Sequence, residues 1–271
     1  MAVMAVFRRR RRKREQRVRR GMYLLPSMFT MANLFCGYAC LLYTLRGDFQ
    51  TAAPFLGIAL ILDTLDGRIA RLTGASSAFG LEFDSLADIV SFGVAPAVLT
   101  SAWGLTAFGR LGWAAGFLYL VAAAIRLARF NIQTATVDKR YFVGMPSPAA
   151  ACVLAATVFA FPTPLVSVTE ALLALLVVLV PAGLMITTLK FRSFKEINLG
   201  HRRSFVPLLA MGAIIAGITA NPPYVLIGMA YGYLASGPIE ALFVRRRGVP
   251  SVPERVDDAV SSGTEGPLPR E

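Results

Sequence analysis

The chain has 271 residues, 55% of them hydrophobic and only 16% charged, with a mean hydropathy of +0.58. Its 28 basic residues outnumber 16 acidic ones, but ten of the 28 stand in residues 1–21 beside a single acid, leaving the other 250 positions close to neutral. A soluble enzyme would carry nearer a quarter charged residues, and a nucleic-acid binder would spread its basic charge over a folded face. Composition excludes both, together with a secreted disulfide scaffold and a disordered regulator.

Apolar runs of about twenty residues recur along the chain, each long enough at ~1.5 Å per residue to cross a hydrocarbon core of ~30 Å. The expected fold is an all-α polytopic integral membrane protein. In chain order it has a basic tail over 1–21 and a transmembrane domain over 22–247, followed by a tail over 248–271. That last tail is rich in Pro, Ser, Gly and charge and is expected to be disordered. Within the domain eight spans are predicted, at 23–45, 51–72, 79–103, 110–130, 147–163, 169–189, 205–220 and 223–244. Turn signals separate them: Arg46-Gly47-Asp48, Thr73-Gly74, Pro162-Thr163-Pro164 and Asn221-Pro222-Pro223. The basic first 21 residues hold no short apolar segment ending in a cleavage site, so no cleavable signal peptide is expected.

Basic residues set the orientation. With the amino terminus in the cytoplasm and eight alternating spans, the cytoplasmic segments hold the N-terminal arginines, Lys139 and Arg140, Lys190 to Arg203, and Arg245 to Arg247. Only Arg46 and Arg110 fall on the other side. Both termini are therefore expected in the cytoplasm, with the arginine-rich tail drawn to anionic membrane lipid. Cys36, Cys40 and Cys152 form no CxxC and no cluster with histidine, and His201 sits in a basic loop. Zinc and thiol chemistry are thus not expected, and carboxylates and arginines remain as the reactive groups.

Charges inside spans are costly, about 2.5–3.5 kcal/mol each at mid-bilayer even on the mildest scale. Here they cluster. Span 2 carries Asp63, Asp66, Arg68 and Arg71, and span 3 carries Glu82, Asp84 and Asp88. Asp63 and Asp66 are three apart and Asp84 and Asp88 four apart, so each pair shares a helical face. The two spans run in opposite directions, which brings both faces to the cytoplasmic end. Four carboxylates held together need compensation, and oxygen-only ligands suit Mg²⁺ or Mn²⁺. Two such ions about 4 Å apart would clamp a pyrophosphate for in-line displacement at phosphorus. Gly67 and Gly80 would allow close approach, Ala70 would keep the face narrow, and Arg71 would hold a phosphate. The competing reading pairs the acids with Arg68, Arg71, Arg126 and Arg129 inside an ion-coupled transporter; that fold would show broken helices and paired halves, and no internal repeat is present.

In order, the segment reads Asp63-x2-Asp66-Gly67-x2-Ala70-Arg71-x8-Gly80-x3-Asp84-x3-Asp88. It resembles the signature of the CDP-alcohol phosphatidyltransferase family at every defined position. The resemblance implies an integral-membrane enzyme that moves a phosphatidyl group from a CDP-linked lipid to an alcohol and releases CMP. It also implies two divalent cations held by Asp63, Asp66, Asp84 and Asp88, with Asp88 doubling as the catalytic base. Gly67, Arg71 and Ser77 would contact the CDP group, with Gly80 allowing close packing, and the protein would be a homodimer.

Other segments resemble the phosphatidylserine synthase branch, whose substrates are CDP-diacylglycerol and L-serine. These are LLPSMFTMANLFCG at 24–37, SFGVAPA at 91–97, IRLARFN at 125–131, YFVGMPSPAA at 141–150 and MITTLKFRSFK at 185–195. The likeness covers roughly residues 22–200 and thins over the last two spans. Ser27 stands where the branch has Asn after Leu-Pro, offering a hydroxyl in place of the amide; Ser27 and Thr30 are expected at the nucleotide. Serine's carboxylate needs a cation, and arginine offers bidentate recognition. Arg126, Arg129, Phe130 and Asn131 are accordingly expected to form the serine pocket. Glycerol 3-phosphate or an inositol phosphate as acceptor, or an ether-lipid donor, would use the same chemistry.

Overall fold

The computed structural model describes residues 27–73, 77–133, 141–187, 189–192 and 206–246. The tails over 1–21 and 248–271, Lys139, Arg140 and His201 lie outside the described residues. Among the described residues the chain forms eight helices of fourteen residues or more: α1 (Ser27–Leu45), α2 (Phe49–Thr73), α3 (Ala78–Gly104), α4 (Arg110–Gln133), α5 (Ser147–Ala160), α6 (Val168–Ile186), α7 (Val206–Ala220) and α8 (Pro222–Arg246). Each falls on one of the eight apolar runs. Four of them, α1, α3, α4 and α6, are long and apolar enough to cross a membrane. α5 and α7 are shorter, and α2, although 25 residues long, carries the charges of its C-terminal half.

The distribution of side-chain size explains the packing. Buried positions are dominated by alanine: Ala52, Ala53 and Ala59 on α2, Ala122 and Ala123 on α4, Ala150 and Ala151 on α5, Ala171 and Ala174 on α6. Large apolar side chains point outward instead, among them Met31 and Phe35 on α1, Leu111 and Trp113 on α4, and Leu172 and Leu173 on α6. Water would penalise that surface, whereas lipid does not. Without a hydrophobic drive between helices, small residues let their backbones approach and gain dispersion contact. Tyr119, Phe92, Leu56, Leu99 and Leu154 fill the remaining core.

One feature departs from the all-α expectation. Tyr141–Val143 and Lys190–Arg192 pair as a two-stranded antiparallel ribbon, β1 and β2, with Tyr141 opposite Arg192 and Val143 opposite Lys190. Three residues are too few for an alternating pattern to register in the sequence. Gly144 then turns the chain into α5 at φ +83°, where a Cβ would lie 2.6 Å from the Met185 carbonyl oxygen. A side chain there would be strained in conformation and blocked in space. The Gly144 N–H donates to the Leu189 carbonyl at 2.8 Å and that of Met145 to the Leu184 carbonyl at 3.0 Å, so the start of α5 is tied to the end of α6.

α3 is not uniform. Residues Ile89–Val94 wind as a π-helix between two α-helical stretches. The Tyr119 hydroxyl on α4 donates to the Phe92 carbonyl within this segment at 3.2 Å. Such wide turns recur at functional sites, and this one begins on the residue after Asp88.

Candidate active site

Short connections make successive helices antiparallel neighbours, so the start of α1, the end of α2, the start of α3, the end of α4 and the start of α5 gather at one end of the bundle. The four aspartates sit there. Asp63 and Asp66 come from α2, Asp84 and Asp88 from α3. One carboxylate oxygen from each of Asp63, Asp66 and Asp84 lies within 4.8 Å of the other two. Asp88 completes the group, its carboxyl against that of Asp63. The helical spacing had placed two acids on each of two faces, and tertiary packing opposes the faces.

α1 supplies neutral donors to this acidic group. Thr30 Oγ1 donates to Asp66 Oδ2 at 3.2 Å, and Asn33 Nδ2 donates to Asp88 Oδ1 at 3.2 Å. Thr30, expected at the nucleotide, is thus buried against a carboxylate. The Gly67 backbone N–H also serves Asp66. Gly67 itself is exposed, and a Cβ there would meet nothing within 4 Å, so the surface beside Asp66 is open. Arg71 lies exposed in the last turn of α2, and Ser27 is half-buried where α1 begins.

Ser77 is the N-cap of α3. Its Oγ accepts from the Gly80 N–H at 2.9 Å, which satisfies an orphan donor of the first turn and leaves the hydroxyl proton to give elsewhere. A Cβ on Gly80 would come to 3.0 Å from that Oγ. The glycine of the signature, four residues before Asp84, therefore keeps the Ser77 cap in place.

Arg126 on α4 lies within electrostatic range of the aspartates. Asp88 and Asp63 both act on its guanidinium, as does Tyr233 of α8. Its Nη1 donates to Ser147 Oγ at 3.2 Å, and its guanidinium carbon lies 5.4 Å from the centre of the Phe130 ring. Arg129 follows three residues later, half-buried. Asn131, expected beside serine, donates to Ser85 Oγ at 3.0 Å, and Ser85 Oγ donates to the Leu81 carbonyl at 3.1 Å. That chain pins the end of α4 to the turn of α3 carrying Asp84. Asn33, Ser85, Ser147 and Tyr233 escaped the sequence reading. Asn33 was within reach of it, three residues after Thr30 on one face of α1, but no spacing rule links Ser147 or Tyr233 to span 4.

Whether these residues suit divalent cations can be judged from their unmet bonding. Asp84 Oδ1 is buried with no hydrogen-bond partner among the described residues. A buried carboxylate oxygen left without a partner costs free energy, and a cation bound between helices α2 and α3 would satisfy it. Three carboxylates converging within one ligand sphere, all oxygen donors, fit a hard ion. The donor set fits.

Comparison with known proteins agrees with this geometry. The sequence pattern of the CDP-alcohol phosphatidyltransferase family matches residues 23–189. A CDP-diacylglycerol–serine O-phosphatidyltransferase of Helicobacter pylori is 38% identical over 228 residues, covering 82% of this chain and 93% of that one. The enzyme of the same name from a second Helicobacter pylori strain is 37% identical over 219 residues, with 79% and 91% covered. That from Bacillus subtilis is 31% identical over 175 residues, with 65% and 93% covered. With the whole aspartate signature inside the matched region and its carboxylates gathered at one end of the bundle, the chain belongs to the CDP-alcohol phosphatidyltransferase family.

Proposed function

We propose that this protein transfers the phosphatidyl group of CDP-diacylglycerol to the hydroxyl of L-serine, giving phosphatidylserine and CMP. The observation that carries the reading is the convergence of Asp63, Asp66 and Asp84 within 4.8 Å, beside Asp88. Relatives at 37–38% identity over most of the chain bear the name of that reaction.

Asp63, Asp66, Asp84 and Asp88 would hold two divalent cations, Mg²⁺ or Mn²⁺. Bound there, the cations would offset the charge of the pyrophosphate and of departing CMP. The protein's own groups do the rest. Gly67 leaves room for the nucleotide, Arg71 and Ser77 meet the CDP group, and Ser27 and Thr30 border it. Asp88 takes the serine hydroxyl proton as that oxygen attacks the β-phosphorus, the one bonded to diacylglycerol. The bond to the oxygen bridging the two phosphates breaks, and CMP leaves. Direct displacement suffices, since among the described residues no Cys or His stands at the aspartates to act as nucleophile.

Arg126 is the cation for the serine carboxylate, flanked by Arg129, Phe130 and Asn131. Charge-assisted hydrogen bonds to a carboxylate contribute about 1.5–3 kcal/mol each, or roughly 10- to 100-fold in apparent affinity. Arg126→Ala should therefore raise KM for serine at least about tenfold while KM for CDP-diacylglycerol changes under about threefold. Arg129→Ala should act in the same direction and less strongly. Equal effects on both substrates would remove the pair from the serine pocket.

The lipid tails must stay in the bilayer while CDP and serine arrive from water. The reading therefore sets 22–247 as a domain of eight spans in the cytoplasmic membrane, with the site and both termini facing the cytoplasm, in a homodimer as the family resemblance implies. The deciding experiment follows CMP release from CDP-diacylglycerol by purified protein with Mg²⁺ or Mn²⁺. Serine, glycerol 3-phosphate or an inositol phosphate is added singly and the lipid product weighed by mass spectrometry. Phosphatidylserine formed only with serine supports the proposal; release with another acceptor alone overturns the choice of serine.

A further inference from the structure

Asn33 is fully buried, and its bond to Asp88 belongs to a closed circuit. The Asn33 carbonyl accepts from Ser91 Oγ at 3.0 Å. Ser91 lies in the π segment that begins immediately after Asp88, and it too is fully buried. One turn further along α1, Gly37 presses on the same serine: a Cβ there would stand 2.6 Å from Ser91 Oγ and 2.9 Å from its Cα. The backbone of α1 is thus locked to the π turn at two successive levels, and the side chain of Asn33 returns from that lock to Asp88.

The cost of this arrangement argues that the amide has a use. Asn33 Oδ1 is buried with no hydrogen-bond partner among the described residues. An apolar side chain of similar volume would fill the space without an orphaned acceptor, so packing alone does not account for an asparagine. What the amide provides is the bond from Nδ2. Rotation of a carboxylate about its terminal torsion is soft, and a base must present one oxygen to the proton it removes. With Oδ1 held by Asn33, the torsion of the Asp88 carboxylate is fixed and its other oxygen is left for the proton.

We infer that Asn33 is a positioning residue for Asp88, and that the Gly37–Ser91 contact fixes α1 so that its amide meets that carboxylate. The inference rests on the reading of Asp88 as the base. Asn33→Leu, close in volume but without a donor, should lower kcat about 10- to 100-fold, the scale of a catalytic group displaced by a fraction of an ångström to one ångström. KM for CDP-diacylglycerol and for serine should each stay within about threefold. An unchanged kcat, or a rise in KM with kcat retained, overturns it, since a purely structural or nucleotide-contacting asparagine would behave in one of those ways. Asn33→Ser, too short to reach Asp88, gives the same test should the leucine variant not fold.

A second measurement needs no turnover. Thermal unfolding of full-length protein in detergent with EDTA is compared for the unaltered chain, Asn33→Leu, Asp88→Ala and the double variant. Direct contact predicts that the Tm shift from Asn33→Leu differs between the two backgrounds; additive shifts overturn the contact. Should the unaltered protein turn over none of the acceptors, the assignment of function fails while this cycle still decides whether Asn33 holds Asp88.

Discussion

Asp88→Asn should lower turnover by about 10³-fold or more while leaving measurable binding of CDP-diacylglycerol. General-base catalysis contributes roughly 10²–10⁴-fold, and this variant removes the basic oxygen with little change of shape. The amide oxygen of the new residue can still accept from Asn33 Nδ2, which donates to Asp88 Oδ1 at 3.2 Å, so the α1–α3 contact is preserved. Loss of rate then reports lost basicity together with any weakened hold on a cation, and the nucleotide face around Gly67 and Ser77 is untouched. Binding is read from titration of CDP-diacylglycerol in nanodiscs, turnover from CMP release. Activity within tenfold of the unaltered protein would remove Asp88 as the base.

Chelation should have an effect at least as large. With excess EDTA, serine-dependent CMP release should fall by about 10³-fold or more, and added Mg²⁺ or Mn²⁺ should restore it. A bound divalent ion supplies several kcal/mol of charge stabilisation to a phosphoryl transition state, and each 1.36 kcal/mol is tenfold in rate. The structure adds a local reason. Asp63, Asp66 and Asp84 bring three carboxylate oxygens within 4.8 Å with Asp88 alongside, while Thr30, Asn33 and the Gly67 amide provide neutral donors only. Among the described residues Arg126 is the cation whose charge acts on Asp63 and Asp88. One guanidinium does not balance four carboxylates beside a pyrophosphate. Turnover persisting in excess EDTA would overturn the metal-assisted mechanism, and failure of re-added metal to restore activity would point to damage by the chelator.

The helices and the four aspartates were legible because both are encoded locally. A span must be a run of apolar residues about 20 long, since lipid offers the backbone no hydrogen bonds; among the described residues eight helices lie on the predicted apolar runs, and four of them are long and apolar enough to cross a membrane. Asp63 with Asp66 and Asp84 with Asp88 share helical faces through spacing alone. The ribbon of Tyr141–Val143 with Lys190–Arg192 was not legible, because its pairing joins segments nearly fifty residues apart and each strand is three residues long. Nor was the bond from Asn131 to Ser85 Oγ, which ties α4 to α3, legible from spacing. A polar side chain at a helix end looks the same in sequence whether it meets substrate or a neighbouring helix.

From sequence alone, then, came the membrane setting, the number and order of helices, and the acidic signature that names the family. Each follows from composition and from spacings of three, four or about twenty residues. Only the folded chain decided how the aspartates are held: Thr30 on Asp66, Asn33 on Asp88, Arg126 bridging to Ser147, and the π turn after Asp88 locked by Gly37 against Ser91. The physical reason is range. Helical periodicity places a residue on a face, but which neighbour that face meets depends on packing among helices whose contacts are set by alanines and glycines carrying no mark of their partner.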